Sequence, residues 1–220
     1  MKLGVISDIH GNLAALAAVL QALDAEAVDT VVNLGDSLSG PLQPFETAQL
    51  LLEPKQMVLV GEVLLVHGTP ATDCECLLET VDPGTPNGMR AADESEVRAR
   101  LGKSSSGKKH PAVILCGHSH VPRTLDLGTS IVVNPGSVGL QAYAESLPHP
   151  HVAELGSPHA RFAVVERANE GWDVRLESVE YDWESQARVA QERGWPVWAH
   201  ALRTGLVPID RRRFAASVPA

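Results

Sequence analysis

The chain has 220 residues, 44% hydrophobic and 20% charged, enough apolar material for one domain with a sizeable core or at most two small ones. Acidic side chains outnumber basic ones by 27 to 18, a net charge of −9, which argues against a general nucleic-acid binder with its basic, counterion-displacing face. An anionic substrate would then need local positive charge, which bound metal can supply.

The three cysteines, Cys74, Cys76 and Cys116, make no disulfide framework, and without a signal peptide their odd count points to a reduced cytoplasm. Cys74 and Cys76 form a C-x-C with no second pair, so a structural zinc site is not expected. No apolar run approaches the ~20 residues of a membrane span.

In chain order, Leu3 to Ser7 reads as a strand and Leu13 to Leu23 as a helix, with Leu13, Leu16, Ala17, Leu20 and Leu23 forming one apolar face. Thr30 to Leu34 is a second buried strand, and strand–helix–strand order implies a parallel pair with a right-handed crossover. Val63 to Val66 and Ala112 to Cys116 are further strands. Residues 93 to 101 read as a helix and 102 to 109, "GKSSSGKK", as an exposed loop. Ile131 to Val133, Arg161 to Val165 and Val174 to Tyr181 make a strand-rich second half, with "GWDV" marking a hairpin between the last two. Trp183 to Arg193 is a helix, "WAHALR" begins a short one, and the last stretch, with Pro at both ends, is expected to be loosely held. The whole is one α/β domain over residues 1–205, with two sheets and helices outside them, followed by a loose tail over 206–220.

The chemistry lies where the apolar runs stop. "VISDIHGN" places Asp8 and His10 after the first strand, and "VVNLGDS" places Asp36 after the second. "LLVHG" places His67 after the third, and "LCGHSH" adds His118 and His120 after the fourth. In an extended chain His118 and His120 would point to the same side, roughly 6–7 Å apart. The carboxyl ends of strands in an α/β sheet gather along one edge, where ligands bind. Four imidazoles and two carboxylates converging there suit divalent metals such as Mn, Fe, Ni or Zn. Each dipeptide alone reads as a solvated turn; the ordered set of four does not.

The series Asp8-x-His10, Gly35-Asp36, His67-Gly68, Gly117-His118-x-His120 resembles the calcineurin-like metallophosphoesterase family, above all its small prokaryotic phosphodiesterase branch. "NPGSVG" (134–139) and "GSPHARFAVVE" (156–166) are similar to that branch, and the resemblance covers residues 1 to about 205. It implies a two-sheet β-sandwich flanked by helices, a four-layer αββα fold. It also implies two divalent ions, manganese before the others: Asp8, His10 and His120 on one, Asp36 bridging, His67 and His118 on the second. The implied activity is hydrolysis of phosphate esters, in particular phosphodiesters, by a metal-activated water. The alternative is a degenerate member that binds metal with little turnover.

One piece is absent. The family carries a Gly-Asn-His-Asp or Gly-Asn-His-Glu motif between Asp36 and His67, whose Asn completes the second metal site and whose His faces the phosphate near the leaving group. Residues 37 to 66 contain neither Asn nor His. Glu62 lies five residues before His67, about 16 Å in extended chain at ~3.3 Å per residue, and Asn33 lies within the second strand, so neither replaces it. Arg161, in the family-like stretch, reads either as a substrate-phosphate contact or as a surface ion pair. Cys116 is expected in the core, His149, His151 and His200 in solvent, and the four tryptophans between helices and sheets. The sequence leaves the oligomeric state open.

Overall fold

The structure is a computed structural model that describes residues 1–52, 62–102 and 111–208. The elements in chain order are β1 (Lys2–Ile6), α1 (Leu13–Ala25), β2 (Thr30–Asn33), α2 (Pro44–Leu52), β3 (Val63–Leu65), β4 (Glu79–Val81), β5 (Met89–Ala91), α3 (Glu94–Leu101), β6 (Val113–Leu115) and β7 (Arg123–Asp126). They continue with β8 (Ile131–Asn134), β9 (Ala142–Glu145), β10 (His151–Glu154), β11 (Ala160–Ala168), β12 (Gly171–Val179), α4 (Trp183–Glu192) and α5 (Pro196–Thr204).

Two four-stranded sheets stack face to face, in the orders β12-β11-β1-β2 and β3-β6-β8-β7. Within them β1–β2, β3–β6 and β6–β8 are parallel, so the carboxyl ends of these strands share an edge in each sheet. Strict alternation along the strands explains the layering. Leu3 and Val5 of β1, Val113 and Leu115 of β6, Val133 of β8 and Ala163 and Val165 of β11 fill the space between the sheets. Ile6, Phe162 and Val164 point the other way, onto Leu16, Val19 and Leu23 of α1. Ile114, Cys116 and Val132 meet Val97 and Leu101 of α3. Both faces of each central strand are covered, which is why the strands read as continuous apolar runs rather than as alternating ones. The layers are therefore helix, sheet, sheet, helix, the αββα sandwich the sequence implied.

Local chemistry sets the helix ends. Asn12 caps α1 by accepting from the Ala15 N–H at 3.1 Å, and its amide donates to the Gly139 carbonyl at 2.9 Å. Asp93 and Glu96 form a reciprocal capping box at α3. Pro196 opens α5 and Gly205 ends it in the left-handed conformation.

Several expectations need correcting. "GWDV" is part of β12: the hairpin turns earlier, where Ala168 pairs with Gly171. Helix α2 and strands β4, β5, β7, β9 and β10 carry too short or too mixed an apolar pattern to be read locally. His151 is buried, 4% exposed, not solvated, whereas Trp195 is 49% exposed rather than packed between layers. The start of the expected tail is held: Val207 is buried, and its N–H donates to Glu154 Oε1 at 2.7 Å. Residues 209–220 of that tail, residues 103–110 of the expected loop and residues 53–61 lie outside the described residues.

Candidate metal centre

At the shared strand edge the loops after β1, β2, β3 and β6 are bonded to one another through their backbones. The Asp8 N–H donates to the Gly35 carbonyl at 3.0 Å, His10 N–H to Asp36 O at 3.1 Å, and Gly117 N–H to His67 O at 2.7 Å. The loop after β8 closes over them, with Ser137 Oγ donating to Asp8 O at 2.8 Å and Gly139 N–H to the same carbonyl at 3.0 Å. Close approach demands glycine at two points. A Cβ on Gly117 would lie 2.0 Å from Ser7 Oγ and 2.9 Å from Asp8 Oδ2, and one on Gly139 would lie 1.7 Å from Ile9 O.

The same geometry bends the chain sharply at the candidate ligands. Asp8, His10, Asp36, His118 and His120 all have φ between 46° and 68°, the left-handed region that non-glycine residues enter at a cost. Only one other non-glycine described residue, Ala27, does so, so the strain is concentrated at this edge. It also changes the reading of "GHSH". Residues 117–120 form a turn rather than extended chain, and the two rings diverge: His120 faces Asp8 and His10, while His118 packs at 5.2 Å from the ring of His67.

Six residues from four loops thus gather. His10 Nε2 lies 3.1 Å from His120 Nε2 and 3.5 Å from Asp36 Oδ2. Asp8 Oδ1 lies 3.5 Å from His120 Nε2 and 3.8 Å from His67 Nε2. Two sets have donor atoms close enough to share an ion: Asp8, His10, His120, and Asp8, Asp36, His67. The carboxylate common to both is Asp8, whereas the family pattern gives the bridging role to Asp36. His118 joins neither set through its ring; its N–H donates to Asp8 Oδ2 at 3.1 Å.

The other ring nitrogens have fixed partners. His120 Nδ1 meets Leu140 O at 2.6 Å and His67 Nδ1 meets Leu34 O at 3.2 Å, so in the neutral rings Nδ1 carries the proton and Nε2 presents its lone pair. His10 Nδ1 meets Ser39 Oγ at 2.8 Å, and that hydroxyl donates to Asp36 Oδ1, tying two candidate ligands through one side chain. Electrostatics agree with this assignment. Burial opposes ionisation of Asp8, but His120, the Ser7 hydroxyl and His67 outweigh it and bring its carboxyl down to about 2. Burial, then the neighbouring His120, pushes His10 down to about 4, and burial, then His67, lowers His118. Asp8 therefore rests as an anion and His10 and His118 as neutral imidazoles, the forms that bind metal.

One observation tests whether a cation fits. Asp8 Oδ1 is buried, in a side chain 1% exposed, and has no hydrogen-bond partner among the described residues. An ionised oxygen left so costs at least about 1–3 kcal/mol. Lone pairs of three neighbouring imidazoles and the Asp36 carboxylate converge on the same space. A cation satisfies them all.

Other expected positions fall elsewhere. Glu62 ion-pairs with Arg167 at the amino end of β3, where its backbone accepts from Val113. Asn33 is used in the turn below Asp36, accepting from Gly35 N–H at 3.0 Å and donating to Ser37 Oγ at 2.9 Å. Arg161 packs its stem against Gly136, and its buried Nε has no hydrogen-bond partner among the described residues. Among the described residues, no hydrogen bond or ion pair joins it to the candidate ligands or to a carboxylate. Residues not anticipated include Ser39, for which the three-residue spacing from Asp36 was a turn signal, and Trp198, whose ring stands edge-on to His10 at 5.6 Å. Tyr143 packs at 4.7 Å from the ring of His120. Neither aromatic had any local signal.

Fold and site together define a metallophosphoesterase-like edge. The family model for the calcineurin-like phosphoesterase superfamily domain matches residues 1–155, and the chain belongs to that superfamily. Among solved structures it is similar to a metallophosphoesterase from Sphaerobacter thermophilus, at 20% identity and TM-score 0.61, over 93% of this chain and 99% of that one. It is also similar to a hypothetical protein of Pyrococcus horikoshii OT3, at 15% identity and TM-score 0.62, over 93% and 98% of the two chains. At these identities the likeness speaks for the fold. No curated protein matches the chain.

Proposed function

We propose that this protein hydrolyses phosphate esters, phosphodiesters in particular, with two divalent ions held by Asp8, His10, Asp36, His67, His118 and His120. The observation that carries this reading is the buried, unpartnered Asp8 Oδ1 facing imidazole nitrogens whose far sides are tied to carbonyls. Bound ions, manganese ahead of iron, nickel or zinc, would supply an acidified water and neutralise phosphoryl charge. The chain's own part is orientation. Leu140 O, Leu34 O and Ser39 hold the rings in one tautomer, and the interlocked loops fix the carboxylates before substrate arrives. The free cysteines accord with a cytoplasmic setting, and no described helix is long and apolar enough to cross a membrane.

The missing Gly-Asn-His-Asp motif favours a second reading, a metal-binding member with little turnover. Its histidine would have protonated the leaving group, a role typically worth about 10²–10⁴-fold in rate. Manganese-loaded protein should therefore turn over bis-(p-nitrophenyl) phosphate, whose leaving group needs no proton, and act far more slowly on dialkyl or dinucleoside phosphodiesters. Bound metal with no nitrophenyl turnover would select the second reading. Equal rates on both classes would mean that another residue supplies the proton.

A further inference from the structure

His118 lines a cavity of about 670 Å³, whereas His10, 6% exposed, is covered by protein. Part of that cover comes from α5, which with α4 lies beyond the residues 1–155 that the family model matches. From α5 the Trp198 indole stands edge-on to the His10 ring, 5.6 Å between centroids and 78° between planes. The same indole lies on the loop after β2: a Cβ on Gly40, whose φ is 100°, would overlap its Cη2, Cζ3 and Cζ2 atoms. One side chain therefore touches both a candidate ligand and the loop that follows another, Asp36.

The contact matters because the bridge between those two ligands is open to water. Ser39 accepts from His10 Nδ1 at 2.8 Å and donates to Asp36 Oδ1, yet Ser39 itself is exposed. Water offers the hydroxyl an alternative partner, so the bridge persists only where the backbone carrying Ser39 is held. The ends of that loop are pinned to the loop after β1, with Gly11 N–H donating to Ser37 O at 2.9 Å and Gln43 N–H to Gly11 O at 2.8 Å. Arg193, at the end of α4, donates from Nη1 to Pro41 O at 2.7 Å and to Leu42 O. Leu42 is buried among Ala187 and Ala190 of α4 and Ala199 and Leu202 of α5. Between Ser39 and these anchors stands Gly40, under Trp198. With the Ser39 proton spent on Asp36, its oxygen takes the His10 Nδ1–H. That leaves His10 Nε2 with its lone pair, 3.1 Å from His120 Nε2 and 3.5 Å from Asp36 Oδ2.

We propose that Trp198 is a positioning residue for the candidate centre: by holding His10 and the Gly40 backbone together it keeps the Ser39 bridge closed, so that His10 presents Nε2 beside Asp8 and His120. The inference rests on the metal-centre reading above. Partners that orient a metal ligand are typically worth about 10–100-fold in metal affinity. Calorimetric titration of metal-free protein with Mn²⁺ should therefore show the tighter step weakened about 10–100-fold in Trp198→Ala and the weaker step changed by no more than a few-fold. Ser39→Ala should weaken the same step, and adding Trp198→Ala to it should cost little more, because the two act through one bridge. Asp182→Ala removes the α4 cap, which accepts from Ser185 N–H at 3.0 Å, and destabilises the helix without reaching the loop; it should leave both steps unchanged. Imidazole ¹⁵N spectra of the metal-free chain supply a readout without metal or turnover. His10 should be a single Nδ1–H tautomer in the wild type and a mixture in Trp198→Ala. Trp198→Phe, which keeps an aromatic edge, should recover part of the affinity, and Trp198→Leu should not. An unchanged tighter step or an unchanged His10 tautomer in folded Trp198→Ala overturns the proposal. So does an equal loss in both steps, or the same loss in Asp182→Ala, since either reports general loosening of the fold. If Trp198→Ala does not fold, Leu binding manganese as tightly as Phe overturns it instead. If the wild type binds no manganese, the metal reading has failed; the tautomer spectra then decide alone, and a His10 that is already mixed in the wild type, or stays fixed in the variants, overturns the positioning role.

Discussion

The two halves of the candidate centre are built differently. On one side Asp8, His10 and His120 are buried, and their loops are bonded to the β2 and β8 loops. On the other side His67 follows a three-residue strand of intermediate burial, and His118 turns its ring toward the neighbouring cavity. The missing family motif would have stood on this second side. The contrast teaches that one site is held by the sandwich itself, whereas the other rests on a three-residue strand and on a ring turned aside. Affinity should follow preorganisation, because side chains that must be fixed on binding spend part of the interaction energy on their own entropy.

The largest break should come from the residue the two halves share. Asp8→Ala should abolish retention of both ions, measured by elemental analysis after gel filtration, and with them all hydrolysis. Retention of two equivalents would show that Asp36 alone carries the bridging role, as the family pattern has it. Gly117→Ala attacks the preorganised half without replacing a ligand, although its Cβ would lie 2.9 Å from Asp8 Oδ2. Its Cβ would fall on Ser7 Oγ, so a loss of about 1–3 kcal/mol in unfolding free energy is expected together with weakened metal binding. Unchanged metal affinity in a folded variant would mean that the interlocked loops do not set it.

A smaller effect sharpens the asymmetry directly. Calorimetric titration of metal-free protein should resolve two steps, and His67→Ala should remove the weaker one while leaving the tighter within a few-fold. Equal affinities would erase the contrast between the halves. The smallest effect lies away from both, in the ion pair of Glu26 with Arg175 at 2.5 Å and Lys2 at 2.8 Å. Hydrogen bonds from Arg175 and Lys2 hold the Glu26 carboxyl down at about 2, below its ordinary 4.5. A depressed carboxylate binds protons more weakly folded than unfolded, so its contribution is present above pH 4.5 and is lost as the pH falls toward 2. Arg175→Ala should slightly flatten the acid limb of the stability curve while metal binding at neutral pH stays unchanged. A changed metal affinity would mean that this exposed pair communicates with the site.

Much of the centre was legible because its ligands are local in sequence. Each sits within five residues of an apolar run, and a β-strand buried on both faces announces itself by unbroken hydrophobicity. That was enough to place Asp8, Asp36, His67 and the "GHSH" pair at one edge. The places of α1, α3 and α4 were likewise legible, while the caps that hold the starts of α3 and α4, Asp93 and Asp182, are seen in the structure. What the sequence could not determine arises from contacts between segments far apart in the chain. The left-handed turns that send His118 and His120 apart are imposed by packing against Ser7 and Asp8, more than a hundred residues earlier. Asp8's place in both ligand sets follows from how loops distant in the chain meet at the sheet edge. Glu79 follows two leucines and carries no local signal of burial. Only the stacking of the β4–β5 hairpin, α3 and the "GHSH" loop removes its carboxylate from water, because burial is a property of the assembled layers and leaves no mark on local pattern.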